Sequence, residues 1–345
     1  MAKPEIVAPN VENFVDYLRD IGYSFEVAVA DLIDNSITAK ANNIQIYTVA
    51  KPDLIFALLD NGIGMTESEL IEAMRLATKN PKEKRAKNDL GRFGLGLKTA
   101  SFSQCKKLTV ISKKAGEISA RQWDLDYISK RNEWYLLTPS KIEGLPLFAE
   151  LNLQKNGTLI LWQDLDRCNK ANFTNYIDRL VKHLSLVFHR FLEGIDNQKA
   201  LKLFVNSNSI KPFNPFNVNH PATQQTAVEK IRLYGSTITI QPFILPHHSK
   251  LSQQEYELYA TEEGYIKSQG FYLYRGNRIL IYGTWWGLHR ALDAHKLVRI
   301  KIDIPNSMDV ELHQSFEFYY CSNQICIYCL IGQHLHQQHH SIQRW

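Results

Sequence analysis

Two carboxylates and an amide lie close together in a segment that is otherwise typical of a buried helix. In the sequence ADLIDNSITA, Asp31, Asp34 and Asn35 stand at positions i, i+3 and i+4. On a helix, these spacings bring side chains to one face within a few ångströms of each other. Because neighbouring carboxylates repel, a cation between them would stabilise the arrangement. Hard oxygen ligands of this kind suit Mg²⁺ that is also bound to substrate phosphates.

The segment that carries these residues, 24–41, is predicted to be a helix. Apolar residues recur at helical spacing, Ser24 is a suitable N-terminal cap, and the segment contains neither glycine nor proline. Phe25, Val29 and Leu32 would hold the opposite side in a core. The alternative is a solvated helix face with an incidental acidic pattern, and the segment alone does not decide between the two.

A further carboxylate, Asp60, ends a strand-like run and is followed by closely spaced glycines. In LLDNGIGM these are Gly62 and Gly64, which let the backbone approach a flat ligand while the carboxylate accepts a hydrogen bond. For Asp-Asn-Gly alone, the more common use is a hairpin turn.

A glycine-rich stretch, GRFGLGLKTAS, begins at Gly91 and precedes a predicted helix. Glycines before a helix expose backbone N–H groups and the positive helix end to a phosphate, and Lys98 would add charge. The spacing of Gly91, Gly94 and Gly96 is neither the dinucleotide-binding fingerprint nor the P-loop pattern. One such stretch is weak support for a nucleotide site, but all three motifs in this order are strong support.

The elements that must position these residues predict an α+β sandwich. Strand-like runs at 43–49 and 53–62 suggest a hairpin, and a helix is predicted over 67–77. The polar stretch that follows is too hydrophilic for a core and too long for a simple turn, so we expect a flap. Further strands are predicted in KLTVIS, ISARQWDL, EWYLLT and GTLILW. A helix followed by a sheet gives the α+β class.

The length of 345 residues favours two domains. An amphipathic stretch over 171–195 predicts a connector helix, and strand candidates that include KLFVNSNSI and LVRIKIDIP predict a smaller mixed domain over 196–309. We therefore expect an N-terminal segment at 1–20, a first domain at 21–170 and an atypical tail at 310–345.

The composition excludes several classes of protein. Hydrophobic residues make up 44% and charged residues 22% of the chain, which is ordinary for a globular protein. No apolar run reaches the roughly 18 residues of a membrane span, and the first residues lack a signal-peptide pattern, so we expect a cytoplasmic protein without a membrane partner. The five cysteines do not resemble a disulfide framework. A net charge of +5 permits contact with nucleic acid without demanding it.

Together these motifs resemble those of the GHKL ATPases, the superfamily of gyrase B, the heat-shock chaperone, the histidine kinases and MutL, with the MORC proteins beside them. The stretch LRDIGYSFEVAVADLIDNSITAKA is most similar to the bacterial MORC-like branch. The likeness covers about residues 10–165 and, more loosely, 200–305. It implies a Bergerat-type ATP-binding α/β sandwich followed by a smaller mixed α/β domain that resembles a transducer.

The resemblance also assigns roles to residues of this sequence. It implies that Asn35 coordinates magnesium, that Asp60 binds the adenine amine and that Thr158 shares a water network beside it. The stretch 78–91 would form a lid over ATP. The residues that the resemblance assigns to the nucleotide are Asp34, Asn35, Asp60, Gly62, Gly64, Met65, Gly91, Phe93, Gly94, Leu95, Gly96, Leu97, Lys98 and Thr158.

Two features depart from the GHKL pattern. The general base of most members is a glutamate four residues before the magnesium-binding asparagine, and that position is Asp31 here. Aspartate is one methylene shorter, and a base must come within about 3 Å of its water or act through a second one. We therefore expect slow or rearranged hydrolysis, with Asp31 still the base. MutL and gyrase relatives also use a lysine of the second domain on the terminal phosphate, whereas no lysine follows Lys301 here.

Three interpretations of the tail at 310–345 are open. Cys326, Cys329, His334 and His336 supply soft and imidazole groups for zinc. The others are an unstructured end, or a shifted or truncated reading frame in which the end of the domain is lost. We favour these two over zinc, because Cys-x-x-Cys with one His-x-His lacks a second well-spaced ligand pair.

A smaller cluster in the second domain has two interpretations. Arg275, Arg278, Trp285 and Trp286 offer charge and stacking to a nucleic acid. We favour the alternative, in which the aromatic rings are buried in a core or a domain interface, since Trp and Tyr bury well.

The function that the sequence predicts is a two-domain switch that binds ATP and Mg²⁺ and hydrolyses ATP weakly. ATP would order the lid and the segment 1–20 and favour a homodimer that hydrolysis releases. The resemblance implies DNA or a nuclease as partner in a restriction or phage-defence (antiviral) system. The alternatives are a nucleotide-binding scaffold without turnover and, less favoured, a chaperone-like ATPase.

Overall fold

The computed structural model describes residues 10–20, 22–76, 96–194, 199–233, 235–261 and 263–305. These residues fall into two compact units. The first comprises those between 10 and 185 and between 191 and 212, and the second comprises those within 186–190 and 213–305. Within the described ranges, no helix combines the length and the apolar character needed to cross a membrane.

A mixed sheet forms the centre of the first unit. Its described strands are β1 (Asn43–Val49), β2 (Ile55–Asp60), β3 (Lys107–Lys114), β4 (Glu117–Asp124), β5 (Gly157–Gln163), β6 (Lys202–Val205) and β7 (Asn208–Ser209). They lie in the order β4-β3-β5-β2-β1-β6-β7. The predicted hairpin is confirmed, since β1 and β2 are antiparallel neighbours. On the other side of β2, Asp60 is paired with Thr158 of β5, so the register brings these two predicted site residues together.

Helices accompany this sheet. Those before β5 in the chain are α1 (Val11–Arg19), α2 (Phe25–Thr38), α3 (Glu67–Met74), α4 (Gly96–Phe102), α5 (Leu125–Arg131) and α6 (Phe148–Leu153). In the stretch predicted as a connector, two helices follow each other, α7 (Phe173–Val187) and α8 (His189–Glu193). α2 packs against α4, α3 against β4, and α6 against β5. The arrangement confirms the predicted α+β class.

The local sequence explains the placement of α2. Ser24 caps the helix, because its Oγ accepts a hydrogen bond from the backbone N–H of Val27 at 3.4 Å. The ring of Phe25 packs edge-on against Phe56 of β2 and Trp162 of β5, with centroid distances of 5.8 and 6.0 Å. Aromatic pairs of this kind stabilise a core beyond the burial of their area. The predicted helix is therefore confirmed, and its apolar side lies on the sheet.

One strand differs from its expected place. The stretch KLFVNSNSI was expected in the second domain, but it supplies β6, which pairs in parallel with β1. The register places Lys202 opposite Asn43 and Phe204 opposite Gln45. A parallel neighbour needs a long crossover connection, and α7 and α8 supply the helical crossover that returns the chain to the first sheet.

A second strand prediction is wrong. The stretch EWYLLT makes only an isolated bridge between Leu137 and Gln122 among the described residues. The stretch forms no regular β-ladder with the residues that the structure describes, and its aromatic side chains pack against neighbouring elements. The ring of Trp134 lies edge-on to Phe14 of α1 and to Trp123 of β4, at 5.9 and 6.0 Å.

A second mixed sheet forms the other unit. Its described strands are β8 (Gln224–Gln225), β9 (Glu229–Leu233), β10 (Ser236–Ile244), β11 (Gly270–Arg275), β12 (Arg278–Thr284) and β13 (Val298–Ile304). They lie in the order β12-β11-β13-β10-β8, and β9 pairs with β10. Helix α9 (Gln253–Ala260) lies between β10 and β11 in the chain.

The two tryptophans considered as nucleic-acid contacts pack against the core of this unit. Trp285 and Trp286 pack against a cluster of buried isoleucines, leucine and phenylalanine from β10, β11 and β13. Trp286 also stacks on Phe271 with 4.4 Å between the ring centroids. This packing favours the core interpretation of the aromatic cluster.

Candidate functional site

α2 carries the acidic stripe into the interior of the first unit. Asp34 is buried, whereas Asp31 and Asn35 are partly exposed. The next residue, Ser36, is buried and donates its hydroxyl to Oδ2 of Asp60 at 2.9 Å. This hydrogen bond joins the stripe on α2 to the carboxylate at the end of β2.

Asp60 is fixed at both carboxylate oxygens. Oδ1 accepts a hydrogen bond from the backbone N–H of Gly62 at 2.8 Å, and Oδ2 accepts the one from Ser36. Burial raises the pKa of the Asp60 carboxyl above its ordinary value, while hydrogen bonds from Gly62, Ser36 and Thr158 act in the opposite direction. A carboxylate offers about four acceptor positions, so Asp60 has capacity left for a donor from a ligand.

The glycines after Asp60 occupy positions where a side chain does not fit. Gly64 has a φ angle of +67°, and a Cβ built on it would overlap the carbonyl oxygen of Lys113 in β3. A Cβ built on Gly62 would lie 2.8 Å from the carbonyl oxygen of Ala39 and 2.9 Å from Oδ1 of Asp60. The turn therefore passes between the end of α2 and β3 only with glycine at both positions.

Gly64→Ala is expected to lower the free energy of unfolding by about 3 kcal/mol or more, because a strained positive φ adds to an overlap with backbone atoms. Gly116→Ala is the matched control. Gly116 has a φ angle of +90°, but nothing lies within 4 Å of a Cβ built on it. Only the backbone penalty of about 1–2 kcal/mol is expected there. Urea denaturation of both variants measures the difference, and equal losses would contradict the close packing of Gly64 on Lys113.

Ser112 of β3 ties this turn to β5. Its Oγ accepts a hydrogen bond from the backbone N–H of Met65 at 2.8 Å and donates to the carbonyl oxygen of Gly157 at 3.1 Å. Oγ1 of Thr158 lies 3.1 Å from the same hydroxyl. One buried hydroxyl thus links the backbone after the glycine turn to the side chain of Thr158.

Sequence analysis missed Ser36 and Ser112. Both are small hydroxyl residues at buried positions, Ser36 on α2 and Ser112 in the apolar run KLTVIS of β3. A buried hydroxyl needs a hydrogen-bond partner, so a serine within an apolar run is a signal for a polar neighbour. The sequence does not say which neighbour, because Asp60 and Thr158 come from other elements.

The start of α4 lies beside the acidic stripe. A Cβ built on Gly96 would be 3.9 Å from Oδ2 of Asp31. Lys98, only 1% exposed, donates from Nζ to the carbonyl oxygens of Ala73 and Arg75 at 3.0 and 2.6 Å. In this structure its ammonium therefore holds the end of α3, and the phosphate contact expected of Lys98 stays a prediction.

Part of the predicted site lies outside the described residues. This applies to the lid at 78–91, to the first five residues of the glycine-rich stretch and to the tail at 310–345 with its cysteines and histidines. The site residues concerned are Gly91, Phe93, Gly94 and Leu95. The other predicted residues all lie in the first unit, on α2, in β2 and the turn after it, on α4 and on β5.

Asn35 has properties that fit a magnesium ligand. Its Nδ2 atom is buried and has no hydrogen-bond partner among the described residues. Because the two orientations of an amide are told apart only by their partners, the side-chain oxygen fits that position equally well. Mg²⁺ takes one or two protein oxygens and otherwise keeps water and phosphate ligands, so a single amide beside a carboxylate suits it. Within the described part of the chain, no group of three or more His, Cys, Asp or Glu side chains is arranged to hold a metal.

Comparison with known proteins shows that this unit is similar to ATPases. A family model described as "Histidine kinase-, DNA gyrase B-, and HSP90-like ATPase" matches residues 23–158. The mouse protein "ATPase MORC2B" is 34% identical over 96 residues, which cover 27% of this chain and 9% of the relative. For "ATPase morc-1" of Caenorhabditis elegans the identity is 30% over 94 residues, 27% of this chain and 11% of the relative.

A chaperone is similar over a longer stretch. "Chaperone protein HtpG" of Bacillus licheniformis is 25% identical over 243 residues, which cover 68% of this chain and 34% of the relative. The chain thus spans between 9% and 34% of the length of these three relatives. The stretch that the family model matches contains Asp60 and the acidic stripe, and the relatives extend well beyond the stretches that are matched.

Proposed function

The chain belongs to the GHKL superfamily of ATPases through residues 23–158, with MORC ATPases among its relatives, and from this premise we propose that it is an ATP-driven switch. Proteins of this superfamily bind ATP in general. In this chain, ATP and Mg²⁺ are proposed to bind between α2, the glycine turn after Asp60 and the start of α4. Hydrolysis is proposed to be slow.

The observation that supports this proposal best is the meeting of three segments that are far apart in the chain. Ser36 of α2 donates to Asp60, and Asp31 of the same helix lies close to Gly96 at the start of α4. The same region therefore offers a hydrogen-bond acceptor for a nucleobase and oxygen ligands for a cation. It also includes the start of a helix, where backbone N–H groups favour phosphate.

Asp60 is the residue proposed to recognise adenine. Ser36 and the N–H of Gly62 fix both oxygens, so the carboxylate keeps its orientation while its other lone pairs accept from the exocyclic amine. Thr158 is opposite Asp60 in the β2–β5 register, and it would share a water network beside the base. Guanine has a carbonyl oxygen where adenine has the amine, so it would face Asp60 with a second acceptor and bind less well.

Asn35 and Asp31 are the residues proposed to act at the phosphate end. Bound Mg²⁺ would neutralise charge on the phosphates. Asn35 would bind this ion through its amide oxygen, and Asp34 would add negative charge on the same helix face. Asp31, one helical turn before Asn35, would accept the proton of the attacking water as general base.

The nucleotide is proposed to favour a homodimer. α1 of the N-terminal segment is tied to the ATP-binding unit, because Arg19 donates to the carbonyl oxygen of Phe102 at the end of α4 and pairs with Asp166 at 2.5 Å. A change in α4 on nucleotide binding would therefore reach α1. Gel filtration with Mg²⁺ and a non-hydrolysable ATP analogue is expected to show earlier elution than without nucleotide. At an analogue concentration that saturates the wild-type chain but not the weaker-binding Asp60→Asn, this variant should show a smaller shift.

An unchanged elution volume for the wild-type chain at saturating analogue would contradict the proposed nucleotide-dependent dimer.

A second candidate function is a nucleotide-binding scaffold without turnover. The observation that favours it is that position 31 holds an aspartate, Asp31, instead of a glutamate. DNA or a nuclease as partner, a role in restriction or phage defence, and a cytoplasmic location are further proposals that rest on family likeness. A chaperone-like role is less favoured.

A further inference from the structure

An open groove of about 830 Å³ lies on one face of the first sheet, over β1 and β6. It is separate from the residues proposed to bind ATP. On β1, Asn43, Gln45 and Tyr47 line the groove, and their exposure alternates with the burial of Ile44 and Ile46. This side of β1 therefore presents polar and aromatic groups where a covered strand would present aliphatic ones.

Two aromatic side chains line the groove on neighbouring strands. Tyr47 of β1 is 42% exposed, and Phe204 of β6 is partly exposed. Since Phe204 is opposite Gln45 in the parallel register, Tyr47 lies two positions further along the adjacent strand. A strand rise of about 3.3 Å and a strand spacing of about 4.8 Å then separate their Cα atoms by about 8 Å. Rings at this spacing suit successive bases that are splayed apart, each stacked on its own ring.

The polar groups of the groove are positive or neutral. Lys199 and Lys202 are exposed, and none of the described residues that line the groove is Asp or Glu. Asn43 and Gln45, which are both partly exposed, add side-chain amides to the groove. Lysines suit phosphates, and an amide suits the edge of a base.

We propose that this groove binds a single strand of nucleic acid, with bases stacked on Tyr47 and Phe204 and phosphates beside Lys199 and Lys202. A duplex keeps its base faces stacked on each other, so it cannot use the two rings. An acidic peptide would pair with the lysines but would have no flat groups for the rings. The combination of positive charge and aromatic rings is the one that single-strand binding proteins use.

The test is fluorescence anisotropy with fluorescein-labelled oligo(dT) and oligo(U) of about ten nucleotides. Tyr47→Ala is expected to weaken binding about tenfold or more. Lys202→Gln is expected to reduce the slope of log affinity against log salt by about 0.7. The matched controls are Tyr135→Ala and Lys130→Gln, which change an exposed tyrosine and an exposed lysine beyond β4, at the other edge of the sheet, and should leave the affinity unaltered.

Thermal denaturation and the heat of ATP binding show whether each variant is folded, so a folding defect is told apart from a lost contact. The two oligonucleotides distinguish DNA from RNA as the source of the strand. The proposal is overturned if the wild-type chain binds neither, or if folded Tyr47→Ala binds as tightly as wild type. It is also overturned if the control variants lose as much affinity for the oligonucleotides as the groove variants do. The same holds if a poly-glutamate peptide binds the wild-type chain and Tyr47→Ala weakens that binding to the same extent.

Discussion

Replacing Asp31 by asparagine is expected to lower the rate of ATP hydrolysis about 10²- to 10⁴-fold, the range that a general base usually contributes. The affinity for ATP should change little, because the substitution keeps the size of the side chain and leaves Asp60 and Thr158 intact. The physical reason is that an amide cannot take a proton from water. The measurement is phosphate release at saturating ATP and Mg²⁺, together with nucleotide affinity by calorimetry.

Asp31→Glu is the matched control for this prediction. It restores the longer side chain that the resemblance leads us to expect at this position, so turnover should be kept or increased. Unaltered turnover in Asp31→Asn would show that Asp31 is not the base. If the wild-type chain binds ATP but releases no phosphate above background, the scaffold without turnover is the better account of the protein.

Replacing Asp60 by asparagine is expected to weaken ATP binding about 10- to 150-fold, which corresponds to the roughly 1.5–3 kcal/mol of a hydrogen bond to a charged group. The asparagine side chain has the same shape, and its oxygen can still accept from the N–H of Gly62. Its NH₂ group, however, would face Ser36 and the adenine amine with donors in place of an acceptor. Calorimetric titration with ATP and Mg²⁺ measures the loss.

The control for Asp60 is the same chemical change at an exposed carboxylate. Asp53→Asn alters an exposed residue that pairs with Lys170 on the surface, and it should leave the ATP affinity unaltered. Equal affinities of wild type and folded Asp60→Asn would remove Asp60 from the binding site. GTP provides a second check, since wild type should prefer ATP and Asp60→Asn should lose most of that preference.

The stability of Asp60→Asn shows whether weaker ATP binding comes from a lost contact with the nucleotide or from a folding defect. Burial raises the pKa of its carboxyl above the ordinary value of 3.8. At pH values between the ordinary and the raised pKa, the folded state binds the proton of Asp60 more often than the unfolded chain does. This proton binding adds to the free energy of unfolding, and its contribution falls as pH rises through that window. Above the raised pKa the contribution is lost. Without nucleotide at neutral pH, Asp60→Asn should therefore be at least as stable as wild type in urea denaturation.

The local parts of the site could be predicted from the sequence. The positions of Asp31, Asp34 and Asn35 share a face of α2 because helical spacing fixes this, and the Ser24 cap fixed the start of the helix. The end of β2 at Asp60 followed from an apolar run that stops at a turn signal. These predictions depend only on short-range geometry.

The long-range parts could not be predicted. The bond between Ser36 and Asp60 and the one between Ser112 and Met65 join elements whose relative placement is decided by packing. The return of β6 to the first sheet is decided by a crossover and not by the strand itself, so the sequence of that strand does not reveal its sheet. The hydrogen bonds of Lys98 could not be predicted either. Its position after a glycine-rich stretch predicts a phosphate contact, whereas in the structure it donates to carbonyl oxygens at the end of α3.

We propose that the acidic face of α2, the turn after Asp60 and the start of α4 enclose one ATP and its Mg²⁺. A crystal structure of the chain with a non-hydrolysable ATP analogue and magnesium tests it most directly. We expect adenine density with its amine on Asp60 and a metal bound by the side-chain oxygen of Asn35. A nucleotide bound elsewhere in the chain, with both of these side chains untouched by ligand, would contradict it.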